Sequence, residues 1–353
     1  MTRSKTYFKS RLAKFRTHFS KWGVEGFVIE NPTDLAYFSG LNLSRGRLLV
    51  SLKTATLFVD GRYKETAKKG SPYPVKNLKE KDFNESLRKL REAKTFGFDT
   101  SLTVAAHREL KKAFVKRSLK GVDHPTLAVR MIKDRSELIL LQKSADLLWK
   151  GFQHVRKKLK VGVRESELAW EFEFYVKTLG AEALSFDPIV AFGENSALPH
   201  HHSGQRKLRR GDVVLMDMGV VLNGYASDMT RVVFFGEASK RIQEIYKLVR
   251  KAHQAALDMC KAGVPVALLD TVARESMGKE EKHFIHALGH GIGLDVHESP
   301  RVSAQSAKVI LQEGMVITIE PGIYLPNVGG IRYEDMVVIT KTGYRNLFKN
   351  TRP

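Results

Sequence analysis

Two acidic pairs in strand–turn–strand patterns constrain the fold of this 353-residue chain more than any other feature. The apolar runs Val213–Val220 and Ser227–Phe235 have the composition of strands, and the Asn-Gly dipeptide between them is a strong hairpin-turn signal. A hairpin with a four-residue loop places Asp217 opposite Asp228, with Cβ atoms about 5 Å apart on one sheet face. Two bare carboxylates would repel each other at that distance, so the pattern predicts a cation between them.

The second acidic pair repeats this arrangement further along the chain. The predicted strand Met315–Glu320 ends at a proline, which has no N–H group for a strand ladder. A turn rich in proline and glycine follows, and Ile331–Ile339 is the predicted return strand, so Glu320 should face Glu334. Arg332 lies two residues before Glu334 and therefore points to the same sheet face.

His290, which lies between two glycines, completes the set of candidate metal ligands. Each acid alone is typical of a solvated surface charge, but Asp217 is embedded in an apolar run, where an uncompensated charge is costly. Four carboxylates and one imidazole suit two divalent ions, with Mn²⁺ expected and Co²⁺ or Zn²⁺ as substitutes. Two ions about 3.5–4 Å apart can hold a bridging hydroxide and polarise a carbonyl, which is chemistry for hydrolysing an amide bond. The predicted ligands are Asp217, Asp228, His290, Glu320 and Glu334.

The order of these motifs resembles that of the pita-bread dinuclear metallopeptidases, which include methionine aminopeptidase, aminopeptidase P and prolidase. The matching runs are Asp-Met-Gly, Ser-Asp-Met-Thr-Arg, Gly-His-Gly-Ile-Gly, Glu-Pro-Gly and Arg-Tyr-Glu-Asp. Upstream, Asn31–Gly40 and Leu57–Tyr63 are similar to the creatinase-type N-terminal domain of the proline-specific branch. The resemblance implies an α+β fold, in which a creatinase-like α/β domain (1–126) precedes a pita-bread catalytic domain (127–353).

The proline-specific branch implies further site residues. Its first histidine lies in a Leu-Pro-His context 17 residues before the first aspartate, which selects His200 among three consecutive histidines. Its second follows the metal-binding histidine by seven residues, which selects His297, and His286 also matches the pattern. The resemblance implies that Glu320 moves a proton, that His297 hydrogen-bonds the substrate carbonyl, and that His200 and His286 line the proline side.

Several functions are compatible with these residues. The leading hypothesis is a metal-dependent Xaa-Pro aminopeptidase, with Arg332 either orienting Glu334 or recognising the substrate. The alternative is an Xaa-Pro dipeptidase (prolidase), which needs a group to capture the free carboxylate after proline, and no local motif identifies one. Methionine aminopeptidase is a weaker alternative because of the N-terminal domain. A non-catalytic binding protein on the same fold is the alternative from a different class.

The distribution of charge along the chain bears on its binding partners. Of the net charge of +21, residues 1–130 contribute +16 (28 Lys and Arg against 12 Asp and Glu), and residues 131–353 contribute +5 (31 against 26). A basic half of this kind can bind nucleic acid, but the sequence contains no recognised nucleic-acid motif, so a solvated surface is the favoured interpretation. The predicted partners are peptides with proline at the second position and a second copy of the chain in a homodimer.

The single cysteine, Cys260, excludes an intramolecular disulfide and fits a reducing compartment, so a cytoplasmic location is expected. Its place directly after the helical pattern Lys251–Met259 predicts a buried filler residue and not a nucleophile. No apolar run reaches the roughly 18 residues of a membrane span. Helices are predicted over Arg11–Trp22, Asp82–Lys94, Ala105–Lys116 and Met131–Val155.

Overall fold

The computed structural model describes residues 4–348, which divide into two compact units between Arg130 and Met131. The buried carboxylate of Asp34 accepts hydrogen bonds from Thr126 (2.7 Å) and Arg130 (3.0 Å). These bonds attach the residues that follow position 126, the predicted domain boundary, to the first unit.

The first unit is an α/β layer around one mixed sheet. Its strands run in the spatial order β4-β3-β2-β1-β5-β6, in which β1–β2 and β2–β3 are antiparallel and the other neighbours are parallel. The rings of Phe27, Phe58 and Phe96 are fully buried in its core. The strands are β1 (Gly26–Ile29), β2 (Gly46–Ser51), β3 (Ala55–Val59), β4 (Val75–Asn77), β5 (Thr95–Asp99) and β6 (Ser118–Val122). The helices are α1 (Lys5–Arg16), α2 (Phe19–Trp22), α3 (Pro32–Ser39), α4 (Lys64–Gly70), α5 (Glu80–Lys89), α6 (Val104–Ala113) and α7 (Leu127–Arg130).

Several helices of the first unit begin or end at residues other than those predicted from the sequence. The predicted helix Arg11–Trp22 is two helices that are separated at Thr17 and His18; α1 begins earlier than predicted, after the N-cap Ser4, and α2 ends before Gly23, a left-handed C-cap. Helices α5 and α6 end before the predicted Lys94 and Lys116.

In the second unit, each of two helix pairs is followed along the chain by its own set of antiparallel strands. Helix α8 (Arg135–Arg156) packs on α9 (Glu165–Thr178), and α10 (Lys240–Asp258) packs on α11 (Val266–Met277). Helix α8 begins after the predicted Met131, because Asp134 and Glu137 form a capping box.

The strands of the second unit form antiparallel sheets with the orders β11-β10-β7, β12-β9-β8, β14-β13-β15-β18-β19 and β16-β17. The first helix pair is followed by β7 (Ala183–Leu184), β8 (Ile189–Phe192), β9 (Val213–Met218), β10 (Val220–Leu222), β11 (Tyr225–Ala226) and β12 (Met229–Phe234). The second pair is followed by β13 (Gly289–Gly291), β14 (Glu298–Val302), β15 (Val316–Ile319), β16 (Gly322–Leu325), β17 (Gly329–Arg332), β18 (Asp335–Ile339) and β19 (Tyr344–Asn346).

Two features of composition have structural counterparts. Cys260 is buried, and burial raises the pKa of its thiol to about 12, so it is a core residue as predicted. Within residues 4–348, no helix combines the length and the apolar character that crossing a membrane requires.

Candidate metal centre

Asp217 lies on β9 and Asp228 immediately precedes β12, but the register differs from the predicted one. The turn between β10 and β11 contains two residues, Asn223 and Gly224, both with positive φ (52° and 76°), as a type I′ turn requires. The resulting register pairs Asp217 with Thr230 and not with Asp228. The predicted four-residue loop was therefore wrong. Because the error shifts the register by two residues, Asp228 still lies on the face of Asp217, as its diagonal neighbour.

The second acidic pair is arranged as predicted. Strands β15 and β18 pair Ile319 with Asp335, and β16 and β17 pair Gly322 with Arg332. Both pairings have the same register, which places Glu320 opposite Glu334 in the gap between them. The predicted continuous return strand is interrupted at this gap, because the Glu334 N–H donates to the carbonyl of Thr230 (3.2 Å) and joins the two hairpins.

The two hairpins and strand β13 bring the candidate ligands together. Donor atoms of Asp228, His290 and Glu334 all lie within 4.8 Å of one another. The His290 Nε2 atom is 3.3 Å from Glu320 Oε1 and 3.6 Å from Asp228 Oδ2. The charge of Asp217 acts on both Asp228 and Glu334. The five predicted ligands therefore form one cluster.

Burial and like charge oppose ionisation of two of these acids. Burial is the main cause that raises the pKa of Asp228 and Glu334 well above their usual values, and the neighbouring carboxylates raise it further. Burial alone would lower the pKa of His290, but Glu320 and Asp228 outweigh it and raise that pKa to about 9. Burial likewise acts to raise the pKa of Glu320, and its contact with His290 outweighs this and lowers it. Ionising all four acids would therefore leave an excess of negative charge in the cluster, which a bound cation would compensate.

The residues present fit divalent ions. Among residues 4–348, the atoms Asp217 Oδ1, Asp228 Oδ1 and Glu334 Oε1 are buried carboxylate oxygens with no hydrogen-bond partner. A buried, unpaired carboxylate oxygen is costly, and most such groups in proteins have a partner. Oxygen donors with one imidazole are a set that Mn²⁺, Co²⁺ or Zn²⁺ accepts.

Two threonines that the sequence analysis missed orient the acids. Thr230 Oγ1 donates to Glu334 Oε2 (3.0 Å) and accepts from Arg332 Nε (3.0 Å). Thr318 Oγ1 donates to Glu320 Oε1 (3.2 Å) and accepts from the His290 backbone N–H (3.0 Å). Each threonine lies two residues from a candidate ligand, so strand alternation was the signal that could have identified both.

Arg332 is buried and donates hydrogen bonds to several members of this network. Its Nη2 donates to Asp217 Oδ2 (2.5 Å), and its Nη1 donates to the Tyr324 hydroxyl (2.8 Å). It reaches Glu334 only through Thr230, so its direct contact is with Asp217. The Tyr324 hydroxyl also lies 2.8 Å from His286 Nε2, and no sequence pattern predicted a role for this tyrosine.

The remaining predicted histidines lie around the cluster. The His297 ring lies edge-on to His290, with centroids 4.3 Å apart. Desolvation is the main cause that lowers the pKa of both His286 and His297, and the nearby His200 lowers each further. His286 and His297 therefore lie beside the centre, and His200 lies near both. His201, in contrast, contacts the buried Glu165 (2.8 Å).

Comparison with known proteins covers both units. Residues 11–132 match the model of the creatinase/prolidase N-terminal domain, and residues 140–341 match that of metallopeptidase family M24. An Xaa-Pro dipeptidase from Pyrococcus furiosus is 37% identical over 347 residues, which span 98% of this chain and 99% of that protein.

Solved structures show the same similarity. An Xaa-Pro dipeptidase from Bacillus anthracis superposes with a TM-score of 0.94 at 31% identity, over 98% of this chain and 99% of that one. An X-Pro aminopeptidase from Thermotoga maritima superposes with a TM-score of 0.86 at 34% identity, over 95% and 97%. The predicted fold, a creatinase-type N-terminal domain followed by a pita-bread catalytic domain, is confirmed. The chain is therefore a peptidase that belongs to metallopeptidase family M24.

Proposed function

We propose that this peptidase is an Xaa-Pro dipeptidase, which hydrolyses the bond between an N-terminal residue and a C-terminal proline. The observation that carries hydrolysis is the cluster of acids around His290, with three buried carboxylate oxygens that lack partners within residues 4–348. The preference for dipeptides rests on the relatives from Pyrococcus furiosus and Bacillus anthracis, whose names describe that activity. The relatives thus support the alternative from the sequence analysis better than the aminopeptidase hypothesis.

The five clustered residues would hold two divalent ions, and Mn²⁺ stays a prediction. When bound, such ions would activate a water molecule for attack and stabilise negative charge on the substrate carbonyl oxygen. Arg332 would hold Asp217 in place through their ion pair, while Thr230 and Thr318 fix the glutamates.

Protein side chains would carry the proton and stabilise the carbonyl. Glu320 would take the proton of the attacking water and pass it to the proline nitrogen, because its carboxylate lies within the cluster, 3.3 Å from His290 Nε2, and keeps some solvent exposure (17%). The lowered pKa of His297, caused chiefly by desolvation, keeps its imidazole neutral near pH 7, so one ring nitrogen carries a hydrogen to donate to the carbonyl oxygen. His200 and His286 would lie beside the proline ring.

A dipeptidase must also bind the free carboxylate after proline, and Arg301 is the proposed group. It is the strand partner of His290 in the β13–β14 pair, and its side chain is exposed. Directly paired residues on antiparallel strands point to the same face, with Cβ atoms about 5 Å apart. A guanidinium there can accept a carboxylate in a bidentate ion pair.

The test is a panel of peptides with manganese-loaded protein and product identification by mass. Ala-Pro should be cleaved, whereas Ala-Pro-Gly and Met-Ala-Gly should be cleaved poorly or not at all. Comparable cleavage of Ala-Pro and Ala-Pro-Gly would instead support an Xaa-Pro aminopeptidase, the activity named for the Thermotoga maritima relative. Efficient cleavage of Met-Ala-Gly would contradict both proline-specific functions.

Arg301→Gln tests the carboxylate site independently. We expect KM for Ala-Pro to rise about 10- to 100-fold, because a hydrogen bond to a charged group contributes about 1.5–3 kcal/mol. Ala-Pro-amide, which has no carboxylate, should be affected little. Arg210→Gln, at another exposed arginine, is the matched control. An equal loss on Ala-Pro and its amide would remove Arg301 from this role.

The homodimer and the cytoplasmic location stay predictions.

A further inference from the structure

The carboxylate of Glu165 is saturated with hydrogen bonds from one segment of the chain. Glu165 is the first residue of α9, and its side chain is fully buried. Its Oε1 accepts from Phe192 N (2.8 Å) and Asn195 Nδ2 (2.9 Å), and its Oε2 lies 2.8 Å from His201 Nε2 and accepts from Gly204 N (3.1 Å). A buried carboxylate is costly unless donors surround it, and these four donors supply that environment.

All four donors belong to segment 192–204, which also carries His200. The segment contains a short 3₁₀ helix, Gly193–Ala197, and it has little other regular structure downstream of that helix. The bonds to Glu165 therefore replace the backbone ladder that a strand or a helix would provide. Without the carboxylate, the buried N–H group of Phe192 would lose its partner, and a buried donor without a partner is destabilising.

The same segment is held on its other side by β17, next to the metal centre. The Gly330 N–H donates to Ser196 Oγ (2.8 Å), and a Cβ on Gly330 would clash with the Ser196 carbonyl, so the backbones approach closely there. Arg332 Nη1 donates to the carbonyl of Pro199 (3.4 Å). The residue before His200 is thus bonded to the arginine that contacts Asp217.

The three consecutive histidines have different surroundings. His201 contacts Glu165 and is largely buried, whereas His202 is exposed. His200 is exposed as well, and its charge acts on His286 and His297 beside the centre. The contact of His201 with Glu165 therefore fixes the chain on one side of His200, and the bond of Pro199 to Arg332 fixes it on the other.

We propose that Glu165 and His201 are positioning residues, which hold segment 192–204 so that His200 is presented to the substrate. The proposal rests on the proposed function in so far as His200 contacts the proline side of the substrate. Neither Glu165 nor His201 would touch substrate or metal.

Hydrogen exchange on the metal-free protein tests the structural part without any catalysis. Glu165→Gln replaces one accepting oxygen by an amide that donates, so half of the four bonds are lost. The amides of segment 192–204 should exchange at least tenfold faster in this variant. Glu173→Gln, which removes an exposed ion pair on the same helix, should leave the segment unchanged. Unchanged protection in Glu165→Gln would overturn the proposal.

Kinetics on Ala-Pro test whether the two residues act through His200. Glu165→Gln should lower kcat/KM, by up to about 10²-fold, the loss that a displacement near 1 Å can cause. In a Glu165→Gln/His200→Ala double variant, the loss should equal that of His200→Ala alone. Losses that multiply would show that Glu165 acts elsewhere and would overturn the proposal.

Substitutions of the neighbouring histidines separate positioning from general destabilisation. His201→Gln retains an N–H donor at the Nε2 position and should keep most of the activity. His201→Leu should behave like Glu165→Gln, and His202→Ala should resemble the wild type. Equal activity of the Gln and Leu variants would contradict the role of His201. If the wild type cleaves no Xaa-Pro peptide, the proposed function fails, and the exchange experiment still decides whether Glu165 holds the segment.

Discussion

Replacing Asp228 by asparagine should stabilise the metal-free protein and at the same time abolish most catalysis. The carboxylate of Asp228 is buried, its Oδ1 has no hydrogen-bond partner within residues 4–348, and Asp217 and Glu320 add negative charge nearby. Asparagine keeps the shape and removes the charge. Without metal, the variant no longer buries the charge of Asp228 or suffers its repulsion from the neighbouring carboxylates. With metal, the variant lacks one anionic ligand.

The size of the first effect follows from the burial of this group. An unsatisfied buried polar group costs about 1–3 kcal/mol, and more when it is charged. For a domain of 150–250 residues, each kcal/mol changes Tm by about 2–4 °C, so Tm of the metal-free variant should rise by roughly 2–12 °C. The sign of the pH dependence follows from the raised pKa of Asp228: the contribution of this group to the stability of the metal-free wild type is fully present below the unfolded value, near 4, and is lost as pH rises through the folded value.

The assay is calorimetry of both proteins after chelation, at pH 5 and pH 8, followed by Ala-Pro hydrolysis after manganese loading. The Tm gain of Asp228→Asn should be larger at pH 8 than at pH 5. Asp187→Asn makes the same chemical change at an exposed position outside the cluster, so it is the matched control and should shift Tm little at either pH. An Asp228→Asn protein that melts below the wild type without metal, or one with full metal content and normal turnover, would refute the reasoning.

Three further predictions concern single side chains. His297→Ala should retain both metal ions by elemental analysis and lose about 10²–10³ in kcat, because it removes a donor to the developing oxyanion; lost metal would make His297 a ligand. Thr230→Val should lower kcat on Ala-Pro by about tenfold, since Arg332 and Glu334 lose their shared hydroxyl, and an unchanged kcat would remove Thr230 from the network. Burial lowers the pKa of His253 to about 4, against about 6.5 when unfolded, so the stability it contributes above pH 6.5 should be lost toward pH 4, by about 3 kcal/mol in total. Denaturant titrations of the wild type and His253→Gln check this, and identical pH profiles would contradict it.

The candidate ligands could be predicted from the sequence because strand alternation and turn signals are local. The two-residue Asn-Gly turn was read as a longer loop, yet Asp217 and Asp228 stayed on one face, since an even shift preserves the side-chain direction. Glu320 lies opposite Glu334 as predicted, because the strand pairs β15–β18 and β16–β17 on either side of these residues have the same register.

Contacts between distant segments could not be predicted in this way. Arg332 lies 115 residues from Asp217 along the chain, and Glu165 lies 36 residues from His201. No local periodicity encodes which donor reaches a buried carboxylate after the sheets pack together. The role of Tyr324 between His286 and Arg332 depends on the same tertiary packing.

The central claim is that the clustered acids and His290 hold two divalent ions that hydrolysis requires. The direct measurement is a titration of chelated protein with Mn²⁺, in which bound metal and the rate of Ala-Pro hydrolysis are followed together. We predict two ions bound per chain, no hydrolysis before metal is added, and recovery of the rate as the sites fill. Undiminished hydrolysis in excess chelator, or binding that Asp228→Asn leaves unchanged, would contradict the claim.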